Sequence, residues 1–295
     1  MPFENLNDDQ VPPSDELFLD TSIHCSKLKG PLFRQRISDV FRLFRWKGTS
    51  TYTKVEFGNV VLSVAEYFLR KLDEFDSLEA TQDFIGNVLP HNLHPTKVTW
   101  SFNLLKAFGA DDAECTERAR LSLRRLMKLG VTFVEKSCDR PLANGTDCYW
   151  AKRGVHRRRD GRLVWQTPIC KRAHKRCRLD DFFVEKRDVF RRIKDAIDKL
   201  PEDAKSDQLR DFFEVIGLAM EDPKMLLDYR AGCKRLADGI IAVDSVAYKS
   251  VFSQNIKESE LLTTVLGQAF YYLPANPERG VLVQLAVPEQ ASARV

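Results

Sequence analysis

The chain lacks most of the features that would place it quickly. No uninterrupted apolar run approaches the roughly 18 residues a membrane span requires, so no membrane partner is expected. The opening MPFENLNDDQ is acidic and carries no basic stretch followed by an apolar one, so no secretory signal is expected there. Histidine is scarce: five residues at 24, 91, 94, 156 and 174, with His91 and His94 in a Pro-flanked stretch expected at the surface. There is no Gly-x4-Gly-Lys-Ser/Thr loop, no Gly-x-Gly-x2-Gly turn and no Gly-x-Ser-x-Gly elbow. Phosphate-loop, dinucleotide and serine-hydrolase chemistry therefore have no motif to stand on. The seven cysteines are odd in number and unevenly spread, which argues against a disulfide framework and for a reducing, cytoplasmic interior. Cys25, Cys115 and Cys233 lie inside helical patterns and are expected as small core residues.

What is present is an ordinary globular composition, with 43% hydrophobic and 30% charged residues in 295. That length suits one large domain or a domain carrying an insertion. The net charge of +4 hides an asymmetry. Between Tyr149 and Leu179 eleven Lys and Arg face one acid, Asp160, so this window carries +10 and the rest of the chain −6. A basic segment on an acidic body suits a polyanionic partner.

Periodicity gives a coarse map. Leu17, Phe18 and Leu19 form a short apolar run bounded by polar residues, a buried-strand signal ending at Asp20. Residues 31–46 carry helical spacing. Residues 49–55 are β-branched and aromatic and predict a second strand ending at Glu56. Val60, Val64, Phe68 and Leu72 mark a helix to about residue 75, and residues 76–115 predict helices broken near Pro90 and Pro95. A helix over 116–129 is expected to be capped by Gly130, with a third strand at 131–135. Helices follow over 188–200, 206–220 and 224–235, with a last strand over 281–287. The stretch LADGIIAVDSVAYKSVFSQN, residues 236–255, reads as a helix opened by Asp238 that feeds a strand ending at Asn255. Strand–helix–strand order predicts an α/β fold with a mostly parallel sheet.

In such a sheet, sites form beyond the carboxyl ends of the strands. Asp20, Glu56, Asp238 and Asn255 all belong near that edge, with Glu258 three residues past Asn255. Clustered carboxylates repel unless a cation neutralises them. Oxygen ligands suit Mg²⁺ or Mn²⁺, and such ions can activate water against a phosphodiester. Taken singly, Asp20 and Asp238 also suit helix N-caps and Glu56 a first helical turn. Asp244, six residues after Asp238, points elsewhere on a helix and is expected to be structural.

FLDTSIHCSKLKG, TSTYTKVEFG, LADGIIAVDSVA and VFSQNIKES together resemble the four motifs of the PIN-domain family of metal-dependent ribonucleases. The resemblance spans roughly 15–75 and 225–275. It implies a PIN-like three-layer α/β/α sandwich and a Mg²⁺- or Mn²⁺-dependent endoribonuclease. Asp20, Glu56, Asp238 and Asn255 would be its catalytic positions, and Asp20, Glu56, Asp238 and Glu258 its metal ligands. Asn255 departs from a fully acidic site and leaves a second metal in doubt. Lys54 lies close enough to Glu56 to steer a phosphate. Two alternatives are a degenerate scaffold binding nucleic acid or a protein partner, and a toxin held by an antitoxin. An inhibitor, a complex partner and a homodimer all stay open.

The separation of 182 residues between Glu56 and Asp238 exceeds what compact members of that family carry. The expected organisation is a first PIN-like part over 1–136, a basic Cys-bearing insertion over 137–180, and a helical segment with the second PIN-like part over 181–295. Cys138, Cys148, Cys170 and Cys177 are a candidate structural Zn²⁺ set, although their Cys-x9-Cys, x21, Cys-x6-Cys spacing lacks tight Cys-x2-Cys knuckles. VHRRRDGRLVWQ reads as a β-hairpin with a type I′ Asp160-Gly161 turn. Arg157, Arg158, Arg159 and Arg162 on it, with Lys171, Arg172, Lys175 and Arg176 beyond it, are the candidate nucleic-acid contacts, and Trp150 and Trp165 offer stacking surfaces. The family resemblance favours RNA over DNA.

Overall fold

The computed structural model describes residues 4–5, 15–92, 113–147, 155–165, 177–228 and 235–284. Its centre is a sheet in which β3 (Trp46–Gly48), β2 (Glu16–Leu19), β6 (Ser250–Ser253) and β7 (Ala269–Tyr272) run parallel in that order. β8 (Leu282–Gln284) and β1 (Glu4–Asn5) complete one edge with antiparallel pairings. The fold is therefore α/β with a mostly parallel sheet, as the strand–helix order predicts. Leu17, Phe18 and Leu19 are all fully buried, because a parallel strand covered on both faces needs an unbroken apolar run.

The two faces are covered by different helices. Leu17, Leu19, Phe252 and Tyr271 point toward Ile37 and Val40 of α2 (Pro31–Arg42). Phe18 and Val251 point the other way, into a cluster built from the later helices. These are α7 (Leu179–Glu185), α8 (Arg187–Asp198), α9 (Asp207–Glu221), α11 (Ala237–Ser245) and α12 (Ile256–Leu266). Each fully buried Phe or Leu contributes about 1.5–3 kcal/mol. Between α9 and α11 stands the short helix α10 (Met225–Asp228).

Three expectations give way. Residues 49–55 are not a strand: β3 lies just before them, and Ser50 caps α3 (Thr51–Phe57) by accepting from the Tyr52 amide at 3.1 Å. Cap and burial outweigh the β-preference of Thr51 and Thr53. Residues 131–133 are not a strand either; they continue α6 (Ala113–Phe133) into a 3₁₀ turn at Glu135–Ser137. Gly130 is thus no cap. It lets Leu62 approach the helix, since a Cβ there would sit 2.2 Å from the Leu62 Cδ2. The place outside β3 is taken by residues 139–143, through Asp139 N to Lys47 O, Ala143 N to Thr49 O and a parallel bridge between Ser50 and Ala143. Lastly, α5 (Leu78–Asn92) runs through Pro90.

Between α3 and α4 (Ser63–Phe75) the chain makes a π-helical turn, Gly58–Leu62. The hairpin expected from Asp160-Gly161 is present as β4 (Val155–Arg157) and β5 (Leu163–Trp165). Its turn is not type I′. Gly161 alone has positive φ, at 82°, while Gly161 N donates to Arg158 O and Arg158 N to Arg162 O. This is a type I turn closed by a left-handed glycine. The hairpin is anchored by Trp165, which is 5% exposed among α4, α5 and α6 residues. Its Nε1 donates to Asn59 Oδ1 at 3.0 Å and its amide to Glu66 Oε2 at 2.7 Å. Cys148 and Cys170, half of the candidate zinc set, lie outside the described residues. Cys138 packs beside α2 and Cys177 beside the later helices, in different apolar clusters. Cys25 and Cys115 are core residues; Cys233 lies outside the described residues. No described helix is long and apolar enough to cross a membrane.

A Cβ on Gly58 would stand 2.1 Å from the Trp165 ring. We expect Gly58→Ala to displace the hairpin, lowering stability by roughly 1–3 kcal/mol in urea denaturation and red-shifting tryptophan emission.

Candidate functional site

β2 and β6 are parallel neighbours that end at the same edge, pairing Leu17–Leu19 with Ser250–Phe252. Asp20 follows the first and Ser253–Asn255 the second. Asp20 is the N-cap of α1 (Thr21–Ser26), so the capping role and the site role fall on one residue. Its Oδ2 accepts three bonds: from Ser22 N at 3.2 Å, Ser22 Oγ at 2.5 Å and Ser253 Oγ at 2.8 Å. Ser253 also accepts from the Asn255 amide at 2.9 Å and from Ser259 Oγ at 3.1 Å. These hydroxyls leave Asp20 Oδ1 outside the network and fix the carboxylate's direction.

Glu56 arrives from α3, not from a strand end, and sits in that helix's last turn. Thr21 Oγ1 donates to its Oε2 at 2.5 Å. Burial, then the charge of Asp238, and more weakly that of Asp20, push the Glu56 carboxyl up to about 8, against the Thr21 bond. Asp238 lies in the first turn of α11. Desolvation at its inner side and the charges of Asp20 and Glu258 push its carboxyl up to about 6; its outer side is exposed, and water screens part of that effect. Glu258, in the first turn of α12, is 6% exposed and accepts from Ser206 Oγ at 2.8 Å. Gly239 holds α11 in place beside the site, because a Cβ there would meet the Phe212 ring at 2.1 Å.

Asp20, Asp238, Asn255 and Glu258 line one narrow cavity of about 40 Å³, room for roughly three waters. Its inner wall is apolar, formed by Phe18, Ile241, Val251 and Leu262. Asn255 is exposed at the rim. Three of the four predicted acids, Asp20, Asp238 and Glu258, line this cavity from three elements; Glu56 does not line it and acts on them from α3 through its charge. Their spacing is wider than a closed chelate: among the described residues, no three His, Cys, Asp or Glu side chains are grouped to hold one ion.

One expectation is corrected here. Lys54 steers nothing toward this edge; it is buried and paired with Glu135 Oε1 at 2.5 Å. Thr21, Ser22 and Ser253 are the positioning residues that carboxylate-centred reasoning passes over. Their signal is in the sequence: a hydroxyl pair directly after the strand-ending Asp, and a Ser closing the neighbouring strand. Asp244 is structural: Ser50 Oγ donates to it at 2.5 Å, tying α11 to the start of α3. Among the candidate nucleic-acid contacts, Arg157, Arg158, Arg159 and Arg162 are exposed on the hairpin. Lys171, Arg172, Lys175 and Arg176 lie outside the described residues.

Raised carboxyls have a definite linkage sign. Between pH 4.5 and 8 the folded chain holds a proton on Glu56 that the unfolded chain has lost. Stability of the metal-free protein therefore falls as pH rises through this window. We expect Glu56→Gln to flatten that dependence and to raise stability at pH 8 by roughly 1–3 kcal/mol, measured by urea titration in EDTA. Ser253→Ala removes one hydroxyl shared by Asp20, Asn255 and Ser259; a loss of about 1–2 kcal/mol of stability is expected, read by urea titration.

The chain matches no protein-family model, no curated protein and no solved structure.

Proposed function

We propose that the protein is a PIN-like, metal-dependent endoribonuclease. The observation that carries this is the gathering of Asp20, Asp238 and Glu258 around one cavity at an edge of a parallel sheet, with burial and neighbouring carboxylates pushing Asp238 up (from Asp20 and Glu258) and Glu56 up (from Asp238 and Asp20). A purely structural acid is normally neutralised by a base or a full set of donors. Here the acids raise one another's affinity for positive charge. Asp20, Asp238 and Glu258 would hold a hard divalent ion, with Glu56 behind them. When bound, Mg²⁺ or Mn²⁺ would neutralise this charge, take a phosphate oxygen and acidify a water.

The chain's own residues supply orientation. Ser22 and Ser253 aim Asp20; Thr21 aims Glu56; Ser206 aims Glu258. The apolar inner wall keeps bulk water from that side, which strengthens electrostatics at the mouth. Asn255, exposed at the rim, offers an amide to the substrate backbone without adding negative charge.

A second reading has its own observation. The acids are not grouped as a ready-made chelate, which suits a catalytically degenerate scaffold that binds nucleic acid.

Labelled single-stranded RNA, structured RNA and DNA, incubated with Mn²⁺, Mg²⁺ or EDTA, decide between the two. We expect RNA cleavage only with metal, reduced at least about 100-fold in Asp20→Asn and in Asp238→Asn. Salt-sensitive binding with no cutting under any condition would establish the scaffold.

A further inference from the structure

A groove of about 880 Å³ lies between the hairpin, α4 and α6. Its α6 wall is a regular row: Leu121, Arg124, Arg125 and Lys128, spaced i, i+3, i+4, i+7, so they share one helix face. Arg70 of α4 joins them, and Arg157, Arg158 and Arg162 face them from the hairpin. Three acids also line the groove, and each is engaged. Glu66 accepts from the Trp165 amide, Asp73 from Arg120 Nε at 2.9 Å, and Asp160 from the Arg162 amide at 3.0 Å within its own turn. Among the described residues, no acid pairs with Arg125, Lys128, Arg157 or Arg158. Four cations drawn from two separate elements thus face a common concave space.

We propose that this groove is a track for the phosphodiester backbone of single-stranded RNA. Six of its seven cations are arginines, whose planar fork matches phosphate oxygens two at a time. The row lies on a helix that is itself basic, with five Lys and Arg against two Glu. Leu121, 62% exposed, and Leu163 place apolar surface beside the charges, which suits riboses and unstacked bases better than an acidic peptide. The track is also rooted at the carboxylate site: the hairpin's Trp165 rests on Gly58, two residues past Glu56. The choice of RNA rests on the proposed nuclease function; the grip on a phosphodiester backbone does not.

The test is fluorescence anisotropy with a labelled 15-nucleotide oligouridine in EDTA, so that no cleavage chemistry is required. It compares wild type, Arg125→Glu/Lys128→Glu, Arg157→Glu/Arg158→Glu and Arg191→Gln, an exposed cation on α8 outside the groove. Both groove variants are expected to weaken binding at least about tenfold at 0.1 M salt, lowering the log-log salt slope by about 0.7 for each phosphate that the variant no longer neutralises. The milder Arg125→Gln/Lys128→Gln keeps the test decisive if a charge reversal disturbs folding, and is expected to lose affinity in the same direction. Arg191→Gln should bind as wild type does. Unchanged binding in the groove variants would overturn the proposal, as would polyglutamate competing as well as RNA. Binding that needs the groove while nothing is ever cut would uphold the track and remove the nuclease. Cutting that ignores the groove variants would do the reverse.

Discussion

The structure depends on keeping several carboxylates together at the end of two parallel strands. Parallel pairing of β2 with β6 brings Asp20 and Ser253 side by side although 233 residues separate them in sequence. The serine hydroxyl then holds the acid in place. Burial, and after it the neighbouring like charges, opposes ionising these groups and pushes the Glu56 and Asp238 carboxyls up. The surrounding fold has to hold them against that repulsion. It does so with an apolar wall, Phe18 with Ile241 and Val251, and with the close approach of α9 to α11 that Gly239 allows.

The long stretch between Glu56 and Asp238 extends the same body at two places. Its first part, with α4, α5 and α6, forms a helical cluster beside the sheet and receives the basic hairpin. Its last part, α7 to α9, joins α11 and α12 in covering one face of the sheet. A hairpin of two three-residue strands would be marginal alone. The indole of Trp165, seated where Gly58 leaves room, gives it a foundation. The charged turn is thereby held against α4 and α6 instead of trailing in solvent, and a groove results.

The strand seeds and the acids were legible in the sequence because they obey local rules. Leu17–Leu19 must be buried on both sides, so it reads as a strand wherever it lies in the sheet. Asp20 follows it and cannot enter the core. The helices at 187–198 and 207–221 were legible for the same reason, since one apolar face must find a partner. Residues 49–55 misled because β-branched propensity is weak against a serine cap and deep burial. Gly130 misled because a glycine at a helix's apparent end is also what a crossing side chain requires. β7 was missed: AFYY is too short to distinguish from any apolar fragment before its neighbour β6 exists.

The sequence by itself determined the fold class, the positions of the acids and the basic charge of the 149–179 window. These follow from composition and periodicity, which act over a few residues. Tertiary structure decided which hydroxyls aim the acids, that Glu56 comes from a helix, that Lys54 is paired away from the site, and that Arg124, Arg125 and Lys128 face the hairpin. Each of these is a contact between segments distant in sequence. Such contacts are set by how helices and strands pack, and a pattern read along one segment carries no record of what another segment brings to it.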